Sequence, residues 1–304
     1  IGATEASALA LTGADNGAEA LDIAASRLNT TASERYGLTA RDSKGRGIAT
    51  GEVVFEAGEF SATGTISAPF EIRNDIARID VTGIETAGSA RLLDDSFRRR
   101  RVALISGEAA DIAQPLLSPL YYINRALSPF ADLIEADSEH MSASIPKLLA
   151  QSPAVVVMSD IGTLPEDVGK LLDEWVENGG TLIRFAGPRL AAAASDSQLL
   201  PVLLRKGERE LGGALSWIEP QPLADYPATG PFSGLPTPRD VTVRRQVLAE
   251  PSSDLPARTW ASLADGTPLV TATERGSGRI VLFHVTAEAS WSNLPISGHF
   301  VDML

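Results

Sequence analysis

The chain has 304 residues, 44% hydrophobic and 21% charged, which suits a globular protein long enough for two domains. A formal charge of −13 at pH 7 argues against nucleic acid or an anionic membrane surface as partner, because both demand clustered Lys and Arg. With no cysteine there is no disulfide, thiolate nucleophile or cysteine-bound metal.

Residues 1–96 lack helical periodicity and are rich in Ala, Thr, Gly and Ser. Alternating stretches recur at Ala20–Leu28, Tyr36–Arg41, Gly51–Phe55, Phe60–Ile66, Ile76–Val81 and Ala90–Leu93, separated by turn signals such as Asp42-Ser43-Lys44-Gly45. Short strands at this spacing predict an immunoglobulin-like β-sandwich. The first 15 residues read as a linker or an edge strand. Arg98 to Arg101 is the one basic cluster, and its place before an apolar strand makes it a solvated join.

Residues 97–304 change character. Val102–Ile105 reads as a buried strand, followed by a helix carrying Ile112, Leu116, Leu117, Tyr121, Ile123 and Leu127; a strand at Asp132–Ala136 and a short helix at Ser144–Ala150 come next. Ala154–Met158 is an unbroken apolar run, the signature of a strand buried on both faces. Thr163-Leu164-Pro165-Glu166 then opens a helix with Thr as cap, and Val168, Leu171, Leu172, Trp175 and Val176 share one face. Asn178-Gly179-Gly180 stops it before a strand at Thr181–Ala186. Strand, helix and strand make a βαβ unit, and the alternation predicts a flavodoxin-like, doubly wound parallel sheet. Beyond Pro188, Leu199–Leu204 and Gly212–Ile218 are strand candidates, Glu219–Pro238 reads as loop, and Pro268–Ala272 with Arg279–Val285 predicts a hairpin.

Ligands of open α/β sheets bind beyond the carboxyl ends of the strands. That places Ser106, Gly107 and Glu108 after the first strand, Ser159 and Asp160 after the third, Gly187 and Arg189 after the fourth, and His284, Thr286 and Glu288 after the hairpin. Glu108, Asp160 and His284 are the catalytic candidates, with hydrolysis or amide transfer as their chemistry. The competing reading is that small polar residues end buried strands and cap helices. No G-x-S-x-G elbow, phosphate loop or metal-binding spacing occurs, and His140, His284 and His299 are isolated, so no cofactor and no metal are expected. Trp291 and Asn293, in Trp291-Ser292-Asn293-Leu294-Pro295, are the candidates for a partner contact.

Trp175 to Ile183 resembles the helix–Gly-Gly–strand passage of class I glutamine amidotransferase-like domains. Gly266-Thr267-Pro268-Leu269-Val270, Gly276-Ser277-Gly278-Arg279, Phe283-His284-Val285-Thr286 and the Trp291 passage resemble a segment of bacterial inner-membrane proteins of the aerotolerance-regulator (Bat-like) type. The resemblance covers residues 97–304. It implies membrane-spanning helices outside this stretch, a periplasmic location in a membrane-anchored parent, and partners among that parent's other domains or another protein, without direct membrane insertion. Ile1 and the run Gly298–Leu304 accordingly read as cut ends. Active amidotransferases use a Cys-His-Glu triad; the turn at Phe185–Pro188 has no Cys and Thr286 stands two residues after His284, so the triad does not carry over. The expectation is a non-catalytic interaction or scaffolding module. The alternatives are a divergent amidotransferase-like enzyme, or a small-ligand sensor at the sheet edge, where helix N-termini favour anions.

Overall fold

The computed structural model describes residues 8–17, 20–94, 97, 99–107, 118, 120–136, 140–193, 199–205 and 214–304. The chain divides into two compact units, residues 1–99 and 100–304.

The first unit is one seven-stranded antiparallel sheet: β1 Leu9–Asn16, β2 Leu21–Arg27, β3 Glu34–Asp42, β4 Gly47–Phe55, β5 Ser61–Ile66, β6 Ile76–Val81 and β7 Ala90–Leu92, in spatial order β1-β2-β5-β4-β3-β6-β7. A short helix, α1 Phe70–Asn74, precedes β6. The alternation read from sequence sends Leu21, Ile23, Leu38, Val53, Phe55, Ile66 and Ile79 into one core. The expected two-sheet, immunoglobulin-like sandwich is corrected to a single sheet that nearly closes on itself. Leu11 N–H donates to Gly88 O at 2.8 Å, and the Arg91 guanidinium reaches Thr12 O, so the β7 edge lies beside β1. Glycine permits the tight coiling where β4 meets β5. A Cβ on Gly51 would lie 2.1 Å from Thr65 O, and one on Gly64 would lie 2.5 Å from Glu52 O.

In the second unit β8 Arg100–Ser106, β9 Ala131–Glu135, β10 Val155–Ser159 and β11 Thr181–Phe185 run parallel with β16 Gly278–Phe283, whereas β14 Thr259–Ser262 and β15 Pro268–Arg275 are antiparallel, giving the order β14-β15-β16-β11-β10-β8-β9. The doubly wound, flavodoxin-like parallel class is therefore corrected to a mixed sheet in a strand-rich unit. The reason lies in the turn at Gly276, whose φ of 58° reverses the chain within a few residues. A parallel neighbour would have needed a long crossover there. A separate two-stranded ribbon, β12 Ala214–Pro222 with β13 Thr242–Val247, lies outside this sheet. It extends into the stretch expected to be loop, while Leu199–Leu204 forms only an isolated bridge, Leu204 to Ala249.

The helices are α2 Tyr121–Leu127, α3 Met141–Leu149, α4 Glu166–Glu177, α5 Pro188–Ala192, α6 Leu255–Arg258 and α7 His299–Met303. Alternate strand residues face two cores. Ala103, Ile105, Val156, Leu182 and Ile280 pack with Ile145 of α3 and Val168, Leu172 and Val176 of α4. Leu104, Val157, Phe185 and Phe283 pack with Ile123 of α2 and Phe300 of α7. The expected helix residues Ile112, Leu116 and Leu117 lie outside the described residues. Pro165, not Thr163, occupies the α4 N-cap position. At its other end Gly179, at φ 112°, donates to Val176 O and Gly180 N–H to Trp175 O, the paired bonds of a Schellman stop.

Candidate functional site

The carboxyl ends of β8, β10 and β11 meet around Asp160. Gly107 N–H donates to Ser159 O at 2.8 Å, and Asp160 N–H donates to Phe185 O at 3.0 Å, so the three strand ends are laced by their first loop residues. Asp160 takes the left-handed conformation, φ 48°, which turns its carboxylate back toward Gly187. Its Oδ1 accepts from Arg189 N at 2.9 Å and Leu190 N at 3.0 Å, and Oδ2 accepts from Arg189 N at 3.2 Å. This satisfies amide donors in the first turn of α5, which have no intrahelical acceptor.

Glycines make the approach feasible. A Cβ on Gly107 would lie 2.1 Å from Asp160 O, and one on Gly162 would lie 2.6 Å from Arg189 O. Beneath them Arg184 is buried; its Nη1 donates to Leu199 O at 3.2 Å and its Nη2 to Ile161 O. Burial lowers the Arg184 pKa to about 10, and the negative charge of Asp160 works against that fall. Arg184 therefore stays charged at neutral pH, as the buried counter-charge to Asp160. Over this floor opens a cleft of about 420 Å³, lined in part by Gly107, Met141, Gly162, Thr163 and Arg189.

His284 lies apart, fully buried at the end of β16. Its Nδ1 is 2.7 Å from Val247 O, which can only accept, so Nδ1 carries the proton; Nε2 then accepts from the Thr271 hydroxyl at 2.9 Å. Burial pushes its pKa down to about 4 from 6.5, outweighing the Val247 hydrogen bond, which raises it. Val247 N–H donates to His284 O at 2.9 Å and His284 N–H to Leu269 O at 2.8 Å, so the histidine pins β13 to the sheet.

The catalytic candidates are thus not assembled. Asp160 caps α5, His284 braces β13, and Glu108 lies outside the described residues. Ser106 and Ser159 are buried at the strand ends; Gly187 opens α5; Arg189 is exposed in the cleft wall. Trp291 is buried against Ala186, Leu190, Val247 and Leu282, with the Arg245 guanidinium 5.8 Å from its ring centroid. Asn293 Oδ1 accepts from Thr242 N at 2.6 Å and its Nδ2 donates to Asp240 O at 2.8 Å, which holds the loop to β13. The sequence does not single out Arg184, Gly162 or Met141 for the site, and marks Thr163 only as a helix cap. An arginine inside the otherwise apolar run Leu182–Phe185 was the available signal, since a buried charge requires a partner. Among the described residues no group of three or more His, Asp or Glu is placed to hold a metal ion.

The fold and site define a strand-rich α/β unit with a small cleft at its parallel strand ends, encoded after a nearly closed antiparallel β unit. No family model and no curated protein matches the sequence. Among solved structures, a cytoplasmic protein from Salmonella typhimurium is similar at a TM-score of 0.51 and 16% identity, over 66% of this chain and 95% of that one. A ThuA-like protein from Parabacteroides merdae is similar at 0.42 and 16% identity, over 67% and 87% of the two chains. Another, from Bacteroides uniformis, is similar at 0.46 and 13%, over 67% and 88%. The expected kinship with Bat-like proteins and class I glutamine amidotransferase-like domains is corrected: no family model matches, and the Salmonella protein, the one of these three above a TM-score of 0.5, shows a shared fold alone. Among the described residues no helix is long and apolar enough to cross a membrane.

Proposed function

We propose that the second unit is a non-catalytic binding module that takes its ligand in the cleft at the ends of β8, β10 and β11. The observation that carries this reading is the internal employment of Asp160 and His284, the two catalytic candidates among the described residues. Asp160 accepts from the Arg189 and Leu190 amides, and both nitrogens of His284 are engaged by Val247 and Thr271. A general base has to reach substrate with a hydrogen-bonding atom. His284 is fully buried and has no such atom to offer. The cleft volume of about 420 Å³ falls in the range of small-molecule sites, about 300–1,000 Å³.

The test is an assay of the purified chain with glutamine, p-nitrophenyl acetate and p-nitrophenyl phosphate. Rates should match buffer alone. Saturable turnover that Asp160→Asn abolishes while the fold persists would replace this reading with the hydrolase one.

A further inference from the structure

The charges lining the cleft differ in how they are balanced. Asp160 is buried, capping α5 and facing the buried Arg184, so its charge is spent inside the protein. Arg189 is exposed, lines the cleft, and its guanidinium has no hydrogen-bonding or ionic partner among the described residues. Its Nη1 lies over Gly107, 3.1 Å from where a Cβ there would sit. Glycine leaves room for that approach, and Thr163 is exposed along the same cleft. The α5 amides cannot supply the anion contact, because Asp160 already occupies them. The remainder of the wall includes apolar Met141, Ile161 and Ala192.

We infer that the cleft receives a small carboxylate with a short aliphatic body, its carboxylate on Arg189 and its body along Met141, Ile161 and Ala192. This rests on the binding reading above and narrows it to one ligand chemistry. A guanidinium offers two parallel N–H donors that match a carboxylate. The chain's net charge of −13 opposes an anion only weakly, since exposed charges beyond about 8 Å are screened at physiological ionic strength.

The probes are butyrate, its neutral counterpart 1-butanol, and inorganic phosphate, titrated into the ¹⁵N-labelled full chain and followed by amide shifts. Butyrate should move the Gly107, Gly162 and Thr163 amides saturably. Arg189→Gln should weaken that binding about tenfold or more, the worth of a charge-assisted hydrogen bond. Ala192→Phe, at an exposed position, should block the cleft while the remaining amides keep their shifts. If 1-butanol binds these amides as well as butyrate does, or Arg189→Gln leaves butyrate binding unchanged, the carboxylate assignment fails and the binding module survives. Phosphate binding there without butyrate binding overturns the assignment in the same way. If none of the three moves these amides, the assignment and the choice of this cleft fall together.

Discussion

Asp160 occupies the space that a side chain on Gly187 would need: a Cβ at position 187 would lie 2.3 Å from Asp160 Cγ and 2.5 Å from Oδ1. Neither partner can yield. Gly187 is fixed by the start of α5, and Asp160 is fixed by its bonds to the Arg189 and Leu190 amides. Gly187→Ala should therefore cost about 1–3 kcal/mol, the usual range for overpacking a close-packed site. The φ of Gly187, 179°, is open to any residue, so the cost is steric contact and not backbone strain. Urea unfolding with an unchanged midpoint would contradict this account of the site.

Gly169 gives the opposite sign. It sits within α4, and a Cβ there would meet nothing within 4 Å. Gly169→Ala should stabilise the protein by about 0.5–1 kcal/mol, because glycine in a helix loses more chain entropy on folding than alanine. The same urea titration reads both variants, and a loss of stability at position 169 would contradict the open space beside Gly169 on that face of α4.

Arg184→Met removes the cation beneath the cleft while keeping much of the side-chain volume. Asp160 would be left buried without its counter-charge, and the carbonyls of Ile161 and Leu199 would each lose a donor. Breaking a buried pair from one side typically costs about 3–5 kcal/mol. Circular dichroism melts should show the loss, and Asp160→Asn should cost less in the Arg184→Met background than in the native protein. Additive costs would show that the two residues do not interact.

The β10–α4–β11 unit was legible because its signals are local. A continuous apolar run, a one-sided helix and a Gly-Gly stop each determine their own neighbourhood, and Val156 pairs in parallel register with Leu182. Closure of the first unit was not legible. Period-two alternation shows which residues face a core, but not whether the edges of a sheet meet, and the bond from Leu11 to Gly88 joins segments far apart in sequence. The flavodoxin-like expectation gave the late hairpin too little weight, since one reversal at Gly276 makes the sheet mixed. At the site, position at a strand's carboxyl end was readable for Asp160 and His284, but purpose was not. A carboxylate after a strand looks the same in sequence whether it faces substrate or caps a helix, and here the distinction rests on Gly187 lacking a side chain. Burial of His284 depends on β13, which no local pattern places against β16.

The burial of His284 gives the protein an acid-sensitive clamp between β13, β15 and β16. Its pKa is about 4 in the folded chain against 6.5 for an ordinary histidine, because burial disfavours the imidazolium. Between those values the unfolded chain binds a proton that the native one does not, so stability falls as pH falls. The contribution is complete above pH 6.5 and is lost on the way down to about pH 4, amounting to about 3 kcal/mol at 1.36 kcal/mol for each pH unit between the two values. Carboxylates titrate in part of the same window, and subtraction isolates the histidine. His284→Asn should be less stable than the native protein at pH 7, having lost the bond to Thr271 or to Val247, and this gap should narrow steadily as urea unfolding is repeated at pH 6, 5 and 4.5. Thr271→Val should add a separate cost of about 1–3 kcal/mol at pH 7, since it leaves a buried Nε2 acceptor without a donor. A gap between His284→Asn and the native chain that stays constant from pH 7 to pH 4.5 would mean that the imidazole takes up its proton inside the fold, and the structural role assigned to His284 would then be wrong.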